Sequence, residues 1–204
     1  ERRALHVAGR PVTVTTISLR RPDDWHLHLR DGAHMAAVLP FTAARFARAL
    51  VMPNLKPPMT TTHGLSDYRA RILAALPEGI RFEPLMTLYL TDRTPPEEVR
   101  RARASGFVVG AKLYPAGATT HSDAGVTSVE NTWAALEAMA ELGLVLQVHG
   151  EVTDPAVDVF DREHSFIDKV LARIVERMPG LKVVFEHITT AAAVEFVRTA
   201  RPGV

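Results

Sequence analysis

Six short apolar runs, each separated from the next by a helical pattern, constrain this chain more than any other feature. The strand-like runs lie at residues 15–19 continuing into 25–29, then at 47–53, 82–90, 108–115, 144–149 and 182–187. They are continuous rather than alternating, as expected of strands covered on both faces. Helices are expected over 66–76, 94–105, 128–143, 165–180 and 189–200. The first opens on Ser66 as N-cap, and the second has Thr94 ahead of two prolines and two acids. The third and fourth close on Gly143 and Gly180. Alternation of this kind with short loops means an α/β fold with a parallel sheet. No repeat, low-complexity tract or linker interrupts it, so residues 1–204 read as a single domain.

Two parallel architectures suit such a pattern. A (β/α)8 TIM barrel takes about 250 residues at about 30 per βα unit, so 204 residues hold about six of its units. An open doubly wound sheet fits the length better, but no Gly-x-Gly-x-x-Gly follows the first strand and no phosphate loop is present.

Composition narrows the function. With 24 basic and 23 acidic residues the net charge is +1, which advertises neither a nucleic-acid nor a membrane-surface partner. Cysteine is absent, so disulfides, thiolate metal sites and a cysteine nucleophile are excluded, and any metal must take nitrogen and oxygen ligands. The N-terminal segment lacks a signal-like apolar stretch, and no run reaches about 18 apolar residues, so a cytoplasmic protein is expected.

The strand ends carry the chemistry. The first ends in His26 and His28, the second in Asn54, the fifth in His149 and the sixth in His187, while Lys112 lies inside the fourth. In a barrel these C-terminal strand ends form the active face. His26 and His28 share the strand period of two, so both rings point to one side and can hold one metal ion. His149 and His187 come from neighbouring strands and can hold a second. No carboxylate stands out as a bridge between two ions. A lysine buried in an apolar strand loses its proton more readily, and a neutral amine can add carbon dioxide to give a bridging carbamate. Each residue also has a plainer reading: a hydrogen-bonded structural histidine, a snorkelling lysine, a turn asparagine. His6, His34, His63, His121 and His164 read as solvent-facing.

Taken together, "DDWHLHLRDG", "VMPNLKPP", "AKLYPAGATTHSDAGVTS", "LVLQVHGEVTD", "FDRE" and "VVFEHITT" resemble the dihydroorotases of the single-function bacterial type, within the amidohydrolase superfamily. The resemblance runs from about Ile17 to the end of the chain. It implies a (β/α)8 barrel with two zinc ions per subunit. His26 and His28 match the ligands of the first ion, His149 and His187 those of the second, and Lys112 the N6-carboxylated lysine between them. Arg30 and Asn54 match groups that hold the substrate carboxylate, near His149, and Thr119 and Thr120 the tip of a mobile loop over the substrate. The implied reaction is the reversible cyclisation of N-carbamoyl-L-aspartate to L-dihydroorotate in pyrimidine synthesis, by a homodimer acting on a small molecule.

The family's proton-shuttling aspartate lies at the end of an eighth strand, and no residue here matches it. It is expected beyond Val204, so the 204 residues are expected to be part of a longer enzyme and inactive alone. Asp24, Asp31, Asp161 and Glu163 are on the wrong strand or on a helix approach. Two rival functions are a hydantoinase- or allantoinase-like hydrolase and a non-catalytic dihydroorotase-like domain kept for assembly. Arg30 with Asn54 speaks against the first; the full set of expected metal ligands speaks against the second.

Overall fold

The computed structural model describes residues 5–7, 10–12 and 17–204. A short antiparallel pair, β1 (Leu5–Val7) and β2 (Arg10–Val12), comes first. Six strands follow: β3 (Asp23–Leu27), β4 (Arg48–Val51), β5 (Glu83–Leu90), β6 (Val108–Leu113), β7 (Val145–Val148) and β8 (Lys182–Phe185). They form one parallel sheet in strict chain order. A doubly wound sheet reverses its strand order part-way, and this one does not, which decides for the barrel topology.

Helices link consecutive strands: α1 (Gly32–Ala43), α2 (Thr62–Ala74), α3 (Pro96–Ala104), α4 (Trp133–Leu142), α5 (Arg162–Phe166) and α6 (Ala172–Arg177), with α7 (Ala191–Thr199) after β8. Leu39, Ile72, Val99 and Met139 from successive helices pack on Val51, Leu88, Leu146 and Val183 of the sheet in one continuous core. The other face is concave. Trp25, Leu50, Leu85, Val109, Val145 and Val184, one from each strand, line a single hollow of about 1010 Å³. The curl brings the two edge strands together at their C-terminal ends, where His26 Nδ1 of β3 lies 3.2 Å from Glu186 Oε1, just past β8. Five strand spacings in a flat sheet would hold them about 24 Å apart.

Several elements depart from the sequence reading. Thr15 and Thr16 of the first expected strand lie outside the described residues. Ile17 and Leu19, 71 % and 74 % exposed, are irregular. The strand starts only after Pro22, whose carbonyl accepts the Ala47 amide. The β1–β2 pair and α1 were not anticipated. α1 is apolar nearly all round and contains Pro40, so it shows no amphipathic period; Asp31 caps it by accepting the Gly32 amide at 2.8 Å. α2 is capped by Thr61 rather than Ser66 and so starts a turn earlier. The helix expected over 165–180 begins at Arg162 and carries a π turn, Ile167–Leu171, between α5 and α6. Gly143 closes α4 in the left-handed conformation, as its position implied.

Glu98 ties two helices together. Its carboxylate accepts the Thr62 amide and hydroxyl, both at 2.6 Å, and pairs with Arg101. Burial pushes the Glu98 carboxyl up, but the Thr62 donors and Arg101 outweigh it and hold the group below its ordinary value. A lowered folded-state pKa gives stability that is present above the unfolded value and lost as pH falls through the folded one. Glu98→Gln is therefore expected to cost about 1–3 kcal/mol at neutral pH. Urea denaturation at pH 7 and near pH 3 checks this, since the gap from the parent protein closes once the parent carboxylate is protonated.

Candidate metal centre

The C-terminal mouth of the sheet collects the residues singled out by sequence. His26, His28, Tyr114, Thr119, His149 and His187 line a pocket of about 250 Å³. The Nε2 atoms of His26 and His28 stand 3.1 Å apart, a separation two ligands on one ion can share. The His149 and His187 rings are 4.7 Å apart between centroids, and His26 and His187 are 5.3 Å apart. His187 reaches this cluster through a left-handed backbone, φ 43°, that no glycine supplies.

Burial foremost, with neighbouring charge, disfavours the charged form of His28, His149 and His187. His28 is exposed on its outer edge, yet desolvation on its inner side, with His26, Arg30 and Lys112 nearby, holds it at about 4. Burial, then His187 and Lys112, brings His149 to about 4 as well, and burial foremost lowers His187. Neutral imidazole is the form that ligates metal.

Lys112 lies beneath the histidines and is fully buried. Burial pushes its ammonium down, and the Glu186 carboxylate recovers only part of that. Its Nζ pairs with Glu186 Oε2 and sits 5.3 Å from the Tyr114 ring centre. Glu186 Oε1 faces His26 Nδ1 at 3.2 Å and accepts from Gln147 Nε2 at 3.2 Å. Gln147 Oε1 in turn accepts the Thr87 hydroxyl at 2.6 Å. Burial would raise the Glu186 carboxyl, but His26 and Lys112 bring it below its ordinary value.

Arg30, Asn54 and Thr120 are not among the residues that line this pocket. Asn54 is buried; its Nδ2 donates to Thr120 O at 2.8 Å, which pins the 117–125 loop over the pocket. Within that loop the Ser122 hydroxyl donates to Thr119 O and accepts the Thr119 amide. Arg30 donates to Asn54 O at 3.4 Å from a left-handed backbone, φ 60°. That turn is braced by the Tyr68 hydroxyl on Arg30 O, 2.5 Å, and by a two-pronged Arg71–Asp31 pair one residue on.

The donor set fits a bound metal. His149 Nε2 is buried without a hydrogen-bond partner; Glu151, 3.7 Å away, is too far to be one. Asn54 Oδ1 and Tyr114 Oη are likewise unpartnered. Orphaned atoms of this kind are rare, and two of them, His149 Nε2 and Tyr114 Oη, belong to residues that line this pocket.

Sequence reasoning missed three contributors. Glu186 is the carboxylate not anticipated: it directly precedes His187, whose left-handed backbone breaks the strand alternation, and both residues line the concave side of the sheet. Tyr114 was legible, two residues past Lys112 and so on the same strand face. His121, read as solvent-facing, is half-buried, with Nδ1 3.2 Å from Asn54 O. Glu163, set aside from the chemistry in sequence, accepts the Thr189 and Thr190 amides and so clamps the turn that follows His187. His34, His63 and His164 are exposed as expected, and the His6 side chain lies outside the described residues.

Comparison with known proteins places this geometry. Residues 23–203 match the amidohydrolase family. The chain belongs to that family. It is 67 % identical over 184 residues to a protein named dihydroorotase from Cupriavidus taiwanensis, covering 90 % of this chain and 54 % of that one. The crystal structure of dihydroorotase from Campylobacter jejuni superposes with a TM-score of 0.81 at 39 % identity, over 88 % of this chain and 52 % of that one. Dihydroorotase from Saccharomyces cerevisiae in complex with 5-fluoroorotic acid gives 0.78 at 32 %, over 87 % and 50 %. The chain thus spans about half the length of these relatives, as a parallel, curled part of their barrel. Membership of this family implies a metal cofactor.

Gly150, directly after His149, tests how tightly the centre is packed. A Cβ there would lie 1.9 Å from the Phe185 ring, which precedes Glu186 and His187. Gly150→Ala is expected to cost about 1–3 kcal/mol and to weaken metal binding by displacing the end of β8. Thermal melts and cobalt(II) titration measure the two effects.

Proposed function

We propose that the protein carrying this segment is a dihydroorotase, interconverting N-carbamoyl-L-aspartate and L-dihydroorotate in pyrimidine synthesis. The observation that carries the reading is the convergence of His26, His28, His149 and His187 above the buried Lys112. The identity of 67 % to a protein of that name supports it and disfavours a hydantoinase-like substrate.

In this reading His26 and His28 would hold one zinc and His149 and His187 a second, with Lys112, carboxylated on Nζ, as a further ligand. Such a centre would supply polarisation of the ring amide carbonyl and activation of the attacking water. The chain's own residues do the rest. Arg30 takes the substrate carboxylate in a two-pronged grip that lysine would not copy, and Asn54 adds a directional contact. Thr119 and Thr120, on the loop docked against Asn54, close the pocket and keep bulk water from the ring-closing direction. Among the described residues, none that lines this pocket is a carboxylic acid. The reading also includes a homodimer in the cytoplasm. Among the described residues no helix is long and apolar enough to cross a membrane.

Elemental analysis of the purified protein is expected to give two zinc ions per chain, and Lys112→Ala to lose the second ion and nearly all activity. Retention of both ions by that variant would remove the carbamate. Ring opening of L-dihydroorotate, with hydantoin as the comparison, tests the substrate; faster turnover of hydantoin would overturn the assignment. Arg30→Ala is expected to raise KM for dihydroorotate by about tenfold to a hundredfold, the loss of one charge-assisted contact.

A further inference from the structure

We infer that Glu186 is a positioning residue, the group that orients His26 for ligation. Its carboxylate has two separate tasks. Oε2 pairs with Lys112, while Oε1 lies 3.2 Å from His26 Nδ1. A carboxylate oxygen only accepts, so His26 Nδ1 carries the proton, and the lone pair of the ring is left on Nε2. That atom is the one 3.1 Å from His28 Nε2. The tautomer that satisfies Glu186 is therefore the one that leaves His26 Nε2 bare, facing the His28 ring where a shared ion would sit.

The carboxylate is itself held. Gln147 Nε2 donates to Oε1 at 3.2 Å, and the Gln147 amide is fixed the right way round because its Oε1 accepts the Thr87 hydroxyl at 2.6 Å. Thr87, Gln147 and Glu186 are 0 %, 2 % and 7 % exposed, so water competes for none of these bonds. The relay starts on β5, crosses β7 and ends on the far edge of the sheet. There it reaches across the mouth to the first strand of the curl. A ligating histidine whose second nitrogen is tied to a carboxylate is both aimed and made more basic. No other acidic side chain is recorded within ion-pairing distance of His26 among the described residues.

The metal part of this inference rests on the proposed two-metal reading; the tautomer part does not. In protein with 15N-labelled histidine rings, the His26 signals, assigned by their loss in His26→Asn, are expected to show a protonated Nδ1 and a bare Nε2 without added metal. Glu186→Leu is expected to move the ring toward the Nε2–H form and to weaken cobalt(II) binding by about tenfold to a hundredfold. Glu186→Gln keeps an acceptor at the same place and is expected to restore the Nδ1–H form and most of the affinity. A parent spectrum with the proton on Nε2 overturns the inference, as does a Glu186→Leu spectrum that matches the parent. Should Glu186→Leu not fold, the parent spectrum and Glu186→Gln decide the matter alone. Parent protein that takes up no cobalt(II) yet shows the Nδ1–H form would overturn the metal reading and leave the orienting role of Glu186 in place.

Discussion

The meeting of β3 and β8 at the mouth of the sheet is the constraint on which the rest depends. Parallel strands joined in chain order put His26 and Glu186 at opposite edges, and only the curl brings them within hydrogen-bond distance. That curl points His28, His149 and His187 at one another and leaves Lys112 at the centre of the fan. The arrangement does little for stability. A buried ion pair such as Lys112–Glu186 commonly does no better than an apolar pair of the same volume, because both charges give up their hydration. Its place at the convergence of four imidazoles is better explained by the chemistry than by the fold.

Much of this was legible in the residues. Strand ends show in sequence because an apolar run stops abruptly at a polar side chain, as with His26, Asn54, His149 and His187. What stayed hidden depends on backbone conformation. Glu186 and His187 are adjacent, so a strand period of two can give the inward face to only one of them, and His187 claimed it. A φ of 43° at a residue other than glycine leaves no mark in the residue type. α1 was hidden for another reason: with Val38 and Phe41 exposed and Pro40 between them, it lacks the one-sided pattern by which helices are read.

The strained positions are where the site is made. Arg30 and His187 both hold left-handed backbones, which cost of order 1–3 kcal/mol each and persist only where the surroundings over-determine them. For Arg30 the surroundings are Tyr68, Asp31 and Arg71; for His187 they are Glu163 and the capped start of α7. Side chains far from any substrate thus set the direction of side chains that meet it. Substitutions at Tyr68, Arg71 or Glu163 act on geometry first.

The strict chain order of the strands has a consequence for how the molecule comes together. Each strand pairs with the one made just before it, so the sheet can lengthen one unit at a time as the polypeptide emerges, without waiting for distant partners. The centre cannot grow that way. It draws on His26 at one end of the described series and on Glu186 and His187 at the other, so it cannot form before β8 has docked. In the proposed two-metal reading, firm capture of an ion would therefore wait for β8, and a chain stalled at an earlier strand would lack His187 and the Glu186 carboxylate that faces His26.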